Sequence, residues 1–160
     1  NKIVIGYIGT HGMAHALDFI IKSAKKIEHK QVHFLLLGDG AKKEELLQLK
    51  DSLDLDNVSM LPSVSKQEVV KYISILDIAL VNLKKSDTFK HVIPSKIFEL
   101  CAMHKPILLG VEGESKKLIE EKLLSPKMKK IFWKKWTLWF MKTSTNIIMI
   151  DWFMILTERI

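Results

Sequence analysis

The chain has 160 residues, a formal net charge of +7 and one cysteine, Cys101. A single cysteine excludes an internal disulfide and a cysteine-based metal cage, which fits a reducing cytoplasm, and no apolar run reaches the roughly 20 residues that span a bilayer. Most of the positive charge lies after Pro126, so the preceding sequence is close to neutral and nucleic acid is not an expected partner.

Short apolar runs and helical patterns alternate up to about residue 121. The apolar runs are bounded by Gly, Pro, Asp or Asn, as buried parallel strands usually are. They are KIVIGYI (2–8), VHFLLL (32–37), NVSML (57–61), DIALV (77–81) and KPILLG (105–110). Apolar residues at three-and-four spacing predict helices over 14–27 and 46–53. A capping box of Ser65 and Glu68 predicts a further helix from Lys66.

This alternation predicts an α/β fold, a Rossmann-like doubly wound parallel sheet. In such a sheet, ligands bind beyond the carboxyl ends of the strands. After the first strand, Gly9 and Gly12 flank Thr10 and His11, so the backbone can approach a ligand and helix-terminal N–H groups can meet an anion. The alternative is that these two glycines only make the turn. Gly38 and Gly40 follow the second strand and are also candidate donor-binding residues, although no Gly-Lys-Ser/Thr follows them as in a phosphate loop.

The stretch IPSKIFEL (93–100) carries the more specific pattern. Ser95 is predicted to cap a helix, Lys96 stands in its first turn, and Glu99 lies on the same face. A phosphate at this terminus would meet open N–H groups and an ammonium, while the carboxylate of Glu99 could accept from two ribose hydroxyls. The alternative is an exposed Lys/Glu pair on a capped helix.

With these motifs, the chain from about Lys2 to Glu121 resembles the nucleotide-sugar-binding, C-terminal half of family 4 glycosyltransferases, which are retaining enzymes of the GT-B type. GYIGTHG, FLLLGDGAKKEELLQL, NVSMLPSVSKQEVVKYISILDIALV and IPSKIFELCAMHKPILLG occur in the family's order and spacing. YIGTHGMAHALD together with IPSKIFE is most similar to the branch that transfers amino sugars, such as N-acetylfucosamine, in bacterial surface polysaccharides.

The resemblance implies a role for each motif residue. Glu99 would hold the ribose, Lys96 and the turn around Ser95 would contact the diphosphate, and the backbone of Val64 would meet the base. His91 occupies the place of a family glutamate and could only form a hydrogen bond to the donor sugar. No catalytic base is identified, and the resemblance implies neither a metal nor a cofactor.

The resemblance also implies how the domain works. Residues 1–121 would bind a UDP-sugar donor, and a saccharide or lipid-linked acceptor would bind an N-terminal domain that these residues do not include. The chain alone is therefore expected to be inactive, and its place is the cytoplasm, with peripheral contact at the inner face of the membrane. The alternatives are a nucleotide-binding module without chemistry and a membrane-surface protein acting through its C-terminal segment.

Residues 122–160 form a basic, tryptophan-rich tail whose apolar residues keep no helical stripe. KMKKIFWKKWTLWFMK suits an anionic membrane surface, whereas the family has an acidic, amphipathic helix here. Shifting the reading frame back by one nucleotide makes such a helix available. The sequence thus supports the hypothesis that a frameshift between about residues 113 and 126 replaced the native ending.

Overall fold

The computed structural model describes residues 2–27, 31–110, 114–115 and 153–155. Its sheet has the strand order β3-β2-β1-β4-β5-β6. The first five strands are parallel and lie at the predicted positions: β1 Ile3–Ile8, β2 Val32–Leu37, β3 Val58–Leu61, β4 Ile78–Asn82 and β5 Ile107–Gly110. The doubly wound fold is therefore confirmed.

A sixth strand, β6 (Phe153–Ile155), pairs antiparallel with β5. The sequence patterns did not predict this strand, which adds an antiparallel edge to the five parallel strands. An antiparallel edge strand on an otherwise parallel sheet is common in doubly wound folds. The rest of the 122–160 tail, and the frameshift hypothesis with it, lies outside the described residues.

Helices cover both faces of the sheet. They are α1 Leu17–Lys26, α2 Lys43–Ser52, α3 Lys66–Ile75 and α4 Lys96–Ala102, with short 3-10 turns at Met13–His15 and Asp87–Phe89. One apolar core includes Ile21 of α1 and Leu46 of α2, and the other includes Ile73 of α3 and Ile97 of α4. None of the helices in the described part of the chain combines the length and the hydropathy needed to cross a bilayer.

The start of α1 differs from the prediction. Ala16 takes a left-handed conformation with φ 46°, so residues 13–15 form a separate turn and the helix begins at Leu17. The buried Asn82 stabilises this break, because its side-chain amide donates to the carbonyls of His15 (2.8 Å) and Ala16 (3.3 Å). The 3-10 turn Met13–His15 therefore follows Gly12 directly, and the α-helix begins only after it.

The two predicted helix caps have different outcomes. The capping box is confirmed, because Ser65 Oγ accepts from the Glu68 N–H and the Glu68 carboxylate accepts from the Ser65 N–H. Ser95 also occupies an N-cap position, but its backbone is helical (φ −56°, ψ −31°) and its side chain caps no N–H group. The prediction of a Ser95 cap is wrong, since capping requires an extended backbone at that residue.

The strand order places the candidate site. Successive strands run outward from β1 to β3 on one side and from β4 to β5 on the other, so the order reverses between β1 and β4. A crevice opens at such a switch point, outside the carboxyl ends of the two strands. The turn after β1 and the segment from the end of β4 to α4 flank this position.

Candidate functional site

The turns after β1 and β2 are bound tightly to each other. The His11 N–H donates to the Asp39 carbonyl over 2.8 Å, and the Lys42 N–H donates to the His11 carbonyl over 2.9 Å. At Gly38, where φ is +147°, an added side-chain carbon would overlap the Gly9 carbonyl oxygen. Gly38 is thus required by the close approach of two backbones.

Lys96 brings its ammonium into the interior, beneath the turn after β1. Its Nζ is buried, has no hydrogen-bond partner in the described part of the chain, and lies 3.9 Å from the centre of the Tyr7 ring. A side-chain carbon added at Gly9 would lie 2.6 Å from this nitrogen. Burial lowers the pKa of Lys96 to about 8, an effect that Glu99 partly offsets. The cation at the switch point is therefore poorly solvated, and no described residue offers it a hydrogen-bond acceptor.

Tyr7 stands at the centre of this group of side chains. Its hydroxyl donates to the Thr10 carbonyl over 2.9 Å, and its ring centre lies 5.7 Å from that of His15. Burial raises the pKa of Tyr7 and lowers that of His15, and Lys96 lowers the latter further. Both groups are thus held neutral. Sequence reasoning missed Tyr7, because an aromatic residue within an apolar strand indicates only a core position.

His11 lies beneath the site. Its side chain is fully buried, and neither ring nitrogen has a hydrogen-bond partner among the described residues. Burial, and next the charge of Lys43, lower its pKa to about 4, so the ring is neutral at physiological pH. Its backbone N–H and carbonyl bond to the turn after β2. Of its neighbours in the turn, Thr10 is exposed and Gly12 is half-buried.

The remaining predicted site residues lie at the same edge of the sheet. Lys96 and Glu99 line one depression together with apolar side chains of β1, β4, α3 and α4. Ser95 and His91 are exposed in the segment that leads into α4. Val64 is half-buried in the loop after β3, and the exposed Gly40 lies in the turn after β2. Lys96, Glu99 and Gly9 are thus brought together, and the others lie in the surrounding loops.

Two further residues connect these loops and were not singled out from the sequence. Lys43 Nζ donates to the carbonyls of Gly38 (2.7 Å) and Leu61 (2.6 Å), and the Asp39 carboxylate accepts from the Ser63 N–H (2.6 Å). Their spacing in the sequence gives no hint that they reach the end of β3. No group of three or more His, Cys, Asp or Glu side chains that could hold a metal occurs within the described ranges.

The doubly wound sheet is a Rossmann-like domain, and it matches the domains of GT-B glycosyltransferases. The chain belongs to the family described as glycosyl transferases group 1, which matches residues 2–129. The matched region thus covers the five parallel strands and ends within the tail.

The chain is similar in sequence to a protein named as a glycosyltransferase. It is 30% identical over 106 residues to TuaH of Bacillus subtilis (strain 168), provisionally named a teichuronic acid biosynthesis glycosyltransferase. That match covers 66% of this chain and 26% of TuaH.

The fold is similar to solved structures at low identity. Anabaena HepE in complex with UDP-glucose is 20% identical with a TM-score of 0.63, and the match covers 76% of this chain and 33% of HepE. A Staphylococcus aureus TarM variant in complex with fondaparinux, alpha-GlcNAc-glycerol and UDP is 15% identical with a TM-score of 0.60, covering 72% of this chain and 23% of TarM. The chain thus spans a third or less of the length of these relatives.

Proposed function

We propose that residues 1–121 bind the UDP-sugar donor of a glycosyltransferase, at the switch point between β1 and β4. The observation that carries this proposal is the buried Lys96 ammonium, which has no hydrogen-bond acceptor among the described residues and lies directly under Gly9. Burying a cation without a hydrogen-bond acceptor costs free energy, and an anionic ligand would supply that acceptor. The diphosphate of a nucleotide-sugar is that ligand.

The other site residues fit the remaining parts of the donor. Glu99 shares the depression of Lys96, and a carboxylate there can accept hydrogen bonds from both ribose hydroxyls. The Ser95 hydroxyl is exposed and does not cap α4, so it is available to a phosphate oxygen. Val64 would meet the base with its backbone, and His91 would donate a hydrogen bond to the sugar. Thr10, Gly12 and Gly40 would border the donor.

The reaction proposed is transfer of a sugar, with retention of configuration, to a saccharide or lipid-linked acceptor in surface polysaccharide synthesis. Lys96 would offset the charge that develops on the leaving diphosphate, which requires no metal. The relation to family 4 rests on the order and spacing of the four quoted motifs, and the relation to its amino-sugar branch rests on YIGTHGMAHALD together with IPSKIFE. A lipid-linked acceptor would bring the protein from the cytoplasm to the inner face of the membrane.

Calorimetric titration of the 160-residue chain with UDP tests this proposal, with Lys96→Met as the variant and Lys66→Met as its matched control. Lys66 is exposed in the first turn of α3, as Lys96 stands in the first turn of α4. We expect UDP to bind the wild-type chain and the control alike, and the Lys96 variant at least about tenfold more weakly. No binding by the wild-type chain would refute the proposal.

A second measurement separates an enzyme domain from a nucleotide-binding module without chemistry. The chain is fused behind an acceptor domain taken from a family member, and release of UDP from UDP-sugars is followed with and without acceptor. Acceptor-dependent release by the fusion, abolished by Lys96→Met, would support the glycosyltransferase function. UDP binding with no release from any fusion would favour the module.

A further inference from the structure

The loop after β3, residues 62–65, is held at its start by two side chains from elsewhere in the chain. Lys43 Nζ donates to the carbonyl of Leu61 over 2.6 Å, and the Asp39 carboxylate accepts from the Ser63 N–H over 2.6 Å. The Leu61 carbonyl also accepts from the Gly38 N–H within the sheet. The bond from Lys43 is therefore additional to the strand pairing.

The same loop is held at its end by the capping box of α3. Ser65 and Glu68 exchange hydrogen bonds there, so the backbone is fixed again immediately after Val64. Val64 is thus the one residue between two anchored positions, Ser63 and Ser65. A backbone held on both sides is preorganised for a ligand, because little conformational entropy remains to be lost on binding.

Lys43 and Asp39 also form a charged pair that is partly withdrawn from water. Lys43 Nζ lies 4.0 Å from the Asp39 carboxylate, and the Lys43 side chain is 18% exposed. Hydrogen bonds from Ser63 hold the pKa of Asp39 below its usual value, so this carboxylate stays ionised and accepts strongly. Lys43 reaches two carbonyls at once, Gly38 and Leu61, and thereby joins the ends of β2 and β3.

We propose that Lys43 and Asp39 are positioning residues for the nucleobase: they hold the 62–65 loop so that the Val64 backbone can pair with the base of the donor. This inference rests on the proposed donor-binding function and extends it to the base. Neither side chain needs to touch the ligand. Their removal weakens recognition of the base and leaves recognition of the diphosphate by Lys96 intact.

The test compares two probes, UDP and inorganic diphosphate, on the 160-residue chain. The variants are Lys43→Met and Asp39→Ala, and the controls are Lys50→Met and Asp51→Ala, which break a charged pair near the other end of the same helix. We expect the Kd for UDP to rise about tenfold in both variants, the loss of roughly one hydrogen bond to a charged group. The Kd for diphosphate should stay within about twofold, and the controls should bind both probes as the wild type does.

A fifth substitution separates a positioning role from general damage to the fold. Asp39→Asn keeps an oxygen that can accept from the Ser63 N–H, so it should recover most of the UDP affinity that Asp39→Ala loses. If Lys43→Met fails to fold, as far-UV circular dichroism would report, the half-exposed Asp39 decides the matter alone. The inference would be overturned if Asp39→Ala bound UDP as tightly as the wild type, or if it weakened the binding of diphosphate as much as that of UDP. The proposed function would stand in either case. A wild-type chain that binds no UDP would overturn both.

Discussion

Lys96 is the residue at which stability and function conflict in this domain. Its ammonium is buried over the Tyr7 ring without a hydrogen-bond acceptor in the described residues, and its pKa is lowered to about 8 as a result. An unfolded lysine keeps its usual, higher pKa, so folding at neutral pH withdraws a charge from water. The free-energy cost of burying this ammonium arises at the position where an anionic donor would offset it.

We therefore expect Lys96→Met to stabilise the free chain at pH 7, by about 1–3 kcal/mol, while it weakens UDP binding. Between pH 8 and the usual lysine pKa the unfolded chain binds more protons than the folded one, so this contribution makes stability rise with pH. Urea unfolding at pH 7 and pH 10 measures both effects. From pH 7 to pH 10, the free energy of unfolding should rise less in Lys96→Met than in Lys66→Met. A Lys96→Met chain less stable than the wild type at pH 7 would argue against an uncompensated charge.

The pH dependence of UDP binding follows from the same group. An anionic diphosphate favours the protonated ammonium, so affinity should be full below about pH 8 and fall above it as free Lys96 loses its proton. The expected decrease is at most about tenfold per pH unit. Calorimetry from pH 6.5 to 9.5 in buffers of different ionisation enthalpy would show proton uptake on binding near pH 8. A flat profile across that range would remove Lys96 from the diphosphate site.

Glu99 is expected to contribute through hydrogen bonds to the ribose. Glu99→Ala should weaken UDP binding by about 1.5–3 kcal/mol, the scale of hydrogen bonds to a charged group. Glu44→Ala is the control, because Glu44 is likewise exposed and stands in the first turn of a helix. Binding of 2′,3′-dideoxy-UDP should be weak in the wild type and change little in the variant. Unchanged UDP affinity in a folded Glu99 variant would exclude it from the site.

At the scale of elements, the site depends on how closely the turns after β1 and β2 approach each other. Gly38 has a φ of +147° and packs against the Gly9 carbonyl, whereas Gly12 has an ordinary φ of −100° and space around it. The two glycines therefore make different structural demands, although both follow strands in similar sequence contexts.

Gly38→Ala should destabilise the fold by about 2–4 kcal/mol, because the new methyl group meets both an unfavourable backbone conformation and the Gly9 oxygen. Gly12→Ala is the matched control, since an added carbon there would lie 3.6 Å from the nearest side-chain atom. Thermal unfolding measures the difference. Equal effects of the two substitutions would contradict the close approach of the loops.

For the molecule as a whole, the proposed boundary at residue 121 separates the donor site from the tail. All candidate donor residues lie before it, and within the tail the structure describes only β6, which adds three residues to the edge of β5. Removing residues 122–160 should therefore leave the Kd for UDP within about twofold of the full chain, by calorimetry. A UDP affinity at least tenfold weaker after the removal would show that the tail contributes to the donor-binding domain.

The frameshift hypothesis for the tail is tested at the level of the gene. Resequencing should reveal an extra or missing base between about codons 113 and 126, and its correction should restore an acidic, amphipathic ending. A confirmed reading frame in cells that make an active transferase would contradict the hypothesis. The tail would then be tested for binding to anionic vesicles.

Features that depend on residues close together along the chain could be predicted from the sequence alone. Apolar runs gave the five parallel strands, and the Ser65–Glu68 box gave the start of α3, because a cap is made within one helical turn. The placement of Lys96 and Glu99 on one face of α4 is equally local. The family resemblance added the expected role of each site residue, which the physical pattern alone left open.

How those elements meet depends on contacts between residues that are far apart in the sequence. The start of α1 depends on Asn82, which is 66 residues from Ala16, and the hold on the 62–65 loop depends on a lysine 18 residues before Leu61. The burial of Lys96 over Tyr7 follows from β1 and β4 being neighbours in the sheet. Such contacts are set by strand order and close packing, which bring together residues whose separation in the sequence carries no signal of their proximity.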